Sequence, residues 1–325
     1  MRFGVLLALC FLTSASAAKR YSYFRVGRGV DVRPATTAGT VLMGGGNDVD
    51  AAFEWMCQRS GGGDFLVIRA TGTDAYNPYI QQLCPKENSV ATLIIPNRSE
   101  ASDPFVIRTI QSAEALWIAG GDQSNYIKYW RGTPVEDALN GLMARGVPVG
   151  GTSAGMNVLT QFVYSALASE GVTSTEALAD PFHRYITLDR DFANVSILSG
   201  LVGDPHFVTR ERMGRDLAFL CRIFLQGWSR APRTISIDER TALLIDASGK
   251  GSVVGSSSAY FLEAPGGPQV CQPNTPLTYQ NIAVYRINAS GSFTLPTWKG
   301  SGGVSYTVSA NTGALSSTQS GGSIY

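Results

Sequence analysis

Residues 147–159, VPVGGTSAGMNVL, run from a short apolar segment, Val147-Pro-Val149, through the turn Gly150-Gly-Thr-Ser-Ala-Gly155 into a second apolar stretch. The order is buried strand, tight turn, helix, and it recurs upstream. Thr40-Val-Leu-Met43 enters Gly44-Gly-Gly46, and Asn47-Asp-Val-Asp50 leads into Ala51-Ala-Phe-Glu-Trp-Met56, again a strand, a turn and a capped helix. Asp64-Phe-Leu-Val-Ile68 and Ala91-Thr-Leu-Ile-Ile95 read as further buried strands, and Ala115-Leu-Trp-Ile-Ala119 ends in Gly120-Gly-Asp-Gln123 before another helical stretch. Short apolar runs alternating with helices predict an α/β fold built on a doubly wound, mainly parallel sheet. In such sheets the site lies at the carboxyl ends of the strands, where these glycine turns fall.

After about Lys250 the composition shifts to Gly, Ser, Thr and Pro with short β-type runs such as Ile282-Ala-Val-Tyr285 and Ser305-Tyr-Thr-Val308. This predicts a β-rich C-terminal extension with a loose end from Ser316 to Ser323. At the other terminus, MRFGVLLALCFLTSASA carries Arg2, an apolar run from Val5 to Leu12 and small residues ending at Ala17, the layout of a cleavable secretory signal. The expected organisation is a signal over residues 1–17, an α/β unit over 18–263 and a partly flexible β-rich extension over 264–325. No later stretch approaches the roughly 20 apolar residues of a membrane-spanning helix.

Cleavage after Ala17 removes Cys10 and leaves Cys57, Cys84, Cys221 and Cys271, an even set that in an oxidising compartment predicts two disulfides. Proximity favours Cys57 with Cys84 and Cys221 with Cys271, although four cysteines allow three pairings. Asn97-Arg-Ser99, Asn194-Val-Ser196 and Asn288-Ala-Ser290 fit the N-glycosylation pattern of a secreted glycoprotein. With 44% hydrophobic residues, 16% charged residues and a net charge of +1, the chain buries a sizeable core and shows no nucleic-acid footprint.

Gly151-Thr-Ser-Ala-Gly155 has the Gly-x-Ser-x-Gly spacing that lifts a serine hydroxyl above a sheet, which makes Ser153 a candidate nucleophile. The backbone N–H groups of Ala154 and of Gly121, one strand earlier, are candidate oxyanion donors, each worth ~3 kcal/mol of barrier. A serine needs a base, and the chain has two histidines. His183 lies in a turn, Asp180-Pro-Phe-His-Arg-Tyr185, that suits a surface or capping role. His206, in Gly203-Asp-Pro-His206 after the apolar run Ile197 to Val202, lies at a strand end and is the better base. Glu170, Glu176, Asp180, Asp189 and Asp204 are candidate acids to orient its ring. Arg212 and Arg215 are three apart and share a helix face, either as a clamp on a substrate carboxylate or as a solvated surface paired with Glu211 and Asp216. No carboxylate cluster stands at metal-ligand spacing, so neither a metal nor a cofactor is expected.

Taken in order, Gly44-Gly-Gly46, Gly120-Gly-Asp-Gln123, Gly150-Gly-Thr-Ser-Ala-Gly155 and Asp204-Pro-His-Phe-Val-Thr-Arg-Glu-Arg-Met-Gly-Arg215 resemble the cyanophycinase-like serine peptidases, which include peptidase E. The resemblance spans roughly Val41 to Glu263. It implies a class I glutamine-amidotransferase-like fold and hydrolysis at aspartyl or β-aspartyl residues, such as cyanophycin to β-aspartyl-arginine dipeptides. Carried over by motif, Ser153 is the nucleophile, His206 the base, and Glu176 the third member with Glu170 as the fallback. Gln123, Asp204, Arg212 and Arg215 fall at substrate-contact positions. Pro205 stands where the family has Gln, which removes a side-chain amide near the substrate.

The implied partner is a peptide or cyanophycin-like substrate, with a homodimer as the assembly to test and neither nucleic acid nor membrane. Two other classes share some of these features. An esterase of the α/β-hydrolase type would place its histidine near the C-terminus and carry a glycine-histidine oxyanion motif, and this chain has neither feature. A non-catalytic binding protein on the same fold would have no need of Ser153 and His206 together.

Overall fold

A computed structural model describes residues 20–168 and 170–325; the expected signal over 1–17, with Cys10, lies outside the described residues. The chain begins with strands β1 (Ser22–Gly27) and β2 (Gly39–Met43), helix α1 (Asp50–Ser60), β3 (Asp64–Arg69), α2 (Tyr76–Leu83) and β4 (Ser89–Ile94). There follow α3 (Pro104–Gln111), β5 (Ala115–Ile118), α4 (Gln123–Trp130), α5 (Pro134–Ala144), β6 (Val149–Thr152) and the short α6 (Ala154–Asn157). β4, β3, β5, β6 and β2 lie side by side in that order and all pair in parallel.

This parallel core rests on side chains that are apolar on both faces of β2, β3 and β5. In β2, Val41 and Met43 join one buried cluster with Phe53 and Met56 of α1, while Leu42 points to the opposite cluster with Leu116 and Ile118. β3 and β5 divide the same way, Phe65, Val67 and Trp117 to one side, Leu66, Ile68, Leu116 and Ile118 to the other. A strand covered on both faces must be hydrophobic throughout, and that is why these runs were legible.

The second half departs from a single doubly wound sheet. It contributes β7 (Phe162–Tyr164), α7 (Ser174–Ala179), β8 (Leu188–Arg190), β9 (Leu201–Asp204), α8 (Met213–Leu225), β10 (Arg233–Ile237), β11 (Thr241–Asp246), β12 (Lys250–Gly255) and β13 (Ala259–Glu263). The last strands are β14 (Tyr279–Ile287), β15 (Ser292–Thr294), β16 (Lys299–Ser301), β17 (Val304–Asn311) and β18 (Ala314–Ser317). β11, β12, β15 and β16 extend the first sheet antiparallel beyond β2, and β1 closes its other edge against β4. The remaining eight strands form a second sheet, ordered β18, β17, β14, β13, β10, β9, β7, β8, in which only β10, β9 and β7 run parallel.

Antiparallel strands need only short hairpins, so the chain returns directly without crossover helices. Residues 264–325 are shared between both sheets. One face of the second sheet, through Ile235, Ile237 and Phe261, packs into the cluster containing Leu42 and Leu116; the other, through Tyr260 and Leu262, packs against Leu217 and Leu220 of α8. Cys57 pairs with Cys84 and Cys221 with Cys271, at Cα separations of 6.2 and 6.5 Å.

Candidate active site

Ser153 stands at the end of β6 with φ 52° and ψ −116°, a left-handed elbow for a residue that bears a side chain, and its N–H is held by the Met43 carbonyl at 3.0 Å. The elbow is allowed by the glycine two residues on. A side chain at Gly155 would place its Cβ 1.9 Å from the Ile118 carbonyl oxygen, so the chain after Ser153 lies directly on β5. Strain of this kind persists only where surrounding contacts over-determine it.

His206 follows β9 and is also left-handed, φ 52°, with its N–H on the Gly44 carbonyl at 2.7 Å. Its ring sits against Gly45, where a Cβ would come within 2.3 Å of the imidazole; the Gly44-Gly-Gly46 turn makes room for the ring. Gly45, at φ 97°, is also in backbone territory that favours glycine.

These two turns bring Ser153 Oγ to 2.7 Å from His206 Nε2. On the far side of the ring, Nδ1 is 2.6 Å from Oε1 of Glu239, which lies in the turn between β10 and β11. A carboxylate can only accept, so Nδ1 carries the proton and Nε2 is left to accept from the serine hydroxyl. Burial is the leading cause that lowers the His206 pKa; the Glu239 hydrogen bond opposes it, and Arg210 and Arg212 add to the lowering. The ring is therefore neutral near neutral pH, the state in which it can take a proton.

Glu239 was not among the acids weighed from sequence, and Glu176 does not reach His206. Glu176 closes a capping box on α7: its carboxylate accepts from the Thr173 N–H at 2.9 Å and the Thr173 hydroxyl at 2.8 Å, while Thr173 Oγ1 accepts from its N–H. Glu170 is exposed, Asp180 caps the Phe182 N–H at 2.8 Å, and Asp189 pairs with Arg131. His183 accepts from the Tyr185 N–H in its own turn. The signal that points to Glu239 is the one that selected His206, a polar residue just beyond an apolar strand, Thr234-Ile-Ser-Ile237. β10 pairs in parallel with β9, Ser236 beside Asp204, so the two strand ends fall together.

The expected clamp on a substrate carboxylate is also corrected. Asp204 and Arg215 are buried and spent on each other, with Arg215 Nε 2.7 Å from Asp204 Oδ2 and a second contact through Nη2. Arg212 Nη1 donates to the Pro205 carbonyl at 2.7 Å and to Asp204 Oδ1 at 3.3 Å. Burial by itself would raise the Asp204 pKa, but Arg215 and then Arg212 outweigh it and hold the carboxyl below its usual range. Asp216, buried beside this pair, has its pKa pushed well up, first by burial and then by Asp204. Its Oδ2 accepts from the Ser236 and Thr234 hydroxyls. Of the three arginines after His206, Arg210 is the exposed one, its Nε 3.7 Å from Glu239.

Gly121 and Ala154 flank Ser153 at the ends of β5 and β6. Ala154 opens α6, where helix geometry leaves its N–H without an intrahelical acceptor. Gly120 lies close enough that a Cβ there would be 3.5 Å from Ser153 Cβ. Gln123 begins α4 beyond that turn and donates to the Tyr164 carbonyl at 3.4 Å. An open cavity beside Gly46 is lined by Asp48, Asp50, Arg69, Tyr76 and Tyr79.

Among the described residues no helix is long and apolar enough to cross a membrane. No curated protein gives a significant match to the chain. Among solved structures, a peptidase from an acI-B1 Actinobacterium matches with TM-score 0.52 and 16% identity over 80% of this chain and 98% of its own. A putative Peptidase E protein from Listeria monocytogenes EGD-e matches with TM-score 0.44 and 14% identity over 68% of this chain and 100% of its own. The first likeness shows a shared fold. The family model of Peptidase family S51 matches residues 73–179, a stretch that contains Gly121, Ser153 and Ala154 and ends before His206. On that match residues 73–179 are similar to Peptidase family S51.

Proposed function

We propose that the chain is a secreted exopeptidase-like serine hydrolase acting at aspartyl or β-aspartyl residues through Ser153, His206 and Glu239. The observation that carries this reading is the unbroken line of contacts from Ser153 Oγ through both nitrogens of His206 to Glu239. Ser153 Oγ attacks the scissile carbonyl carbon as its proton passes to His206 Nε2, and Glu239 stabilises the imidazolium. The N–H groups of Ala154 and Gly121 receive the oxyanion. Collapse of the intermediate breaks the C–N bond, with the leaving amine taking the proton from His206, and water then releases the acyl group by the reverse relay.

In this reading the parallel half of the first sheet corresponds to a class I glutamine-amidotransferase-like core, with residues 18–263 as the catalytic unit and 264–325 as an added β-rich extension. Arg210, exposed beside Glu239, takes over the substrate-carboxylate role expected of Arg212 and Arg215, and Gln123 lies at the neighbouring turn. Secretion rests on the 1–17 segment and is supported by the paired cysteines and by the exposure of Asn194 and Asn288 at two glycosylation patterns. The test is turnover of cyanophycin and of a panel of α- and β-aspartyl dipeptides, beside a Ser153→Ala control. Release of β-aspartyl-arginine that is lost in the control supports the storage-polymer substrate. Cleavage of dipeptides only moves the substrate to small isoaspartyl peptides, and no turnover by folded protein rejects the reading.

A further inference from the structure

The turn that carries His206 is gripped from outside the catalytic strands. Residues 205–212 close on themselves: Arg210 N–H reaches the His206 carbonyl at 3.0 Å and Arg212 N–H the Phe207 carbonyl at 2.8 Å. The turn then feeds α8, whose N-cap residue, Arg212, makes no side-chain cap. The first N–H groups of a helix need acceptors from elsewhere. The acceptor here is the phenol oxygen of Tyr325, which takes the Met213 N–H at 2.9 Å from 112 residues away in sequence.

The same side chain touches the other end of the turn. The Tyr325 ring meets Phe207, the residue after His206, edge-on at 5.4 Å, and Tyr260 of β13 at 6.2 Å. Phe207 is fully buried and its N–H is held by the Ile237 carbonyl. Tyr325 is itself held, since Tyr306 donates its hydroxyl to the Ile324 carbonyl at 3.1 Å and Ser323 donates to the Tyr325 carbonyl at 2.8 Å. One residue therefore bridges the neighbour of the base and the start of the helix that follows it.

We propose that Tyr325 is a positioning residue for His206, fixing the turn from which the imidazole reaches Ser153; this rests on the Ser153–His206–Glu239 reading. The phenol is kept neutral first by burial; the Met213 N–H opposes this, and Asp216, Glu211 and Asp204 reinforce the burial. It therefore serves as a fixed contact and does not exchange protons in the reaction.

The test needs no knowledge of the substrate. The rate of Ser153 phosphonylation by a fluorophosphonate is followed from about pH 5 to about pH 9 for the wild type, Tyr325→Phe and Tyr325→Ala, with Ser153→Ala as the blank. We expect Tyr325→Phe to slow the limiting rate about threefold and Tyr325→Ala about tenfold or more, because small misplacements of a base are costly in rate. The acid limb should also move to higher pH in Tyr325→Ala. His206 faces Ser153, Glu239, Arg210 and Arg212, and its lowered pKa depends first on burial, which loss of the ring relaxes. Folding is checked by circular dichroism, and if the alanine variant does not fold, the phenylalanine variant decides. Folded variants that label at the wild-type rate with an unmoved acid limb overturn the proposal. An unlabelled wild-type Ser153 overturns the catalytic reading, and this proposal with it.

Discussion

Two carboxylates stand within two elements of His206, and they do opposite things. Glu239 keeps part of its surface in water and faces a titratable imidazole; Asp204, two residues before His206, is sealed from solvent and faces guanidinium groups. The first pair includes an imidazole that can gain or lose a proton, whereas the second cannot change its charge without losing a buried partner. Proximity to the motif does not separate a chemical carboxylate from a structural one. The partner and the access of water do.

The sharpest way to break this comparison is to neutralise Glu239. Glu239→Gln keeps the shape and removes the charge that holds the Nδ1 proton, so kcat should fall by about 10²–10⁴-fold with folding intact. Fluorophosphonate labelling and dipeptide turnover both read it. A loss of less than about threefold would mean that Glu239 is an ordinary surface partner of Arg210.

On the buried side the expected loss is in stability. Arg215→Met leaves Asp204 and Asp216 against a single remaining guanidinium in a dry site, and unfolding should become easier by about 3–5 kcal/mol. Replacing Asp204 and Arg215 together by Leu and Met should recover part of that loss. If Arg215 were instead a substrate clamp, Arg215→Met would raise KM in a protein of unchanged stability.

The parallel strands were legible in the sequence because burial on both faces gives consecutive apolar runs: Val41, Leu42 and Met43 all point into cores. β10 was not, since its Ile235 and Ile237 face one core while Thr234 and Ser236 turn to Asp216, an alternation without meaning until that buried acid is known. Ser153 and His206 were legible because one sits in a spaced glycine turn and histidine is scarce. Glu239 was not, because it lies 33 residues beyond His206 and only the pairing of β9 with β10 brings it back. Arg212 precedes α8 and Arg215 lies in its first turn, both turned to Asp204, and spacing alone does not name the acid they meet.

The amino ends of the first sheet extend the comparison to carboxyls whose titration is governed first by burial. Glu87 meets the Ser60 hydroxyl at 2.6 Å and Glu114 the Asp64 N–H at 2.9 Å; burial, the leading cause in each, pushes both up to about 7. A carboxyl whose folded pKa is raised binds its proton more tightly folded than unfolded. Its contribution is thus fully present below its ordinary value near 4.5 and lost as pH rises through about 7. Wild-type stability should fall by on the order of 1–3 kcal/mol across that window from these two groups, and Glu87→Gln should flatten the fall. A melting temperature that rises steadily from about pH 5 to about pH 8 in the wild type, with Glu87→Gln following the same curve, would contradict this.

The smallest effect belongs to Glu176, and it tests whether a carboxylate can be assigned by its partner. Its pKa is lowered, first by the Thr173 N–H and then by the Thr173 hydroxyl, so its stabilisation is present above the ordinary carboxylate range and lost as pH falls through the depressed value. Thr173→Ala removes one half of the capping box and should cost about 0.5–1 kcal/mol, read by denaturant titration near neutral pH. Glu176→Gln retains a weaker acceptor and should cost less. Neither change should slow Ser153 labelling, because both groups are committed to the first turn of α7. If Glu176→Gln slowed labelling as much as Glu239→Gln did, the capping box could not be where that carboxylate rests during turnover. The segment between Ser153 and His206 would then have to move toward the site when substrate binds.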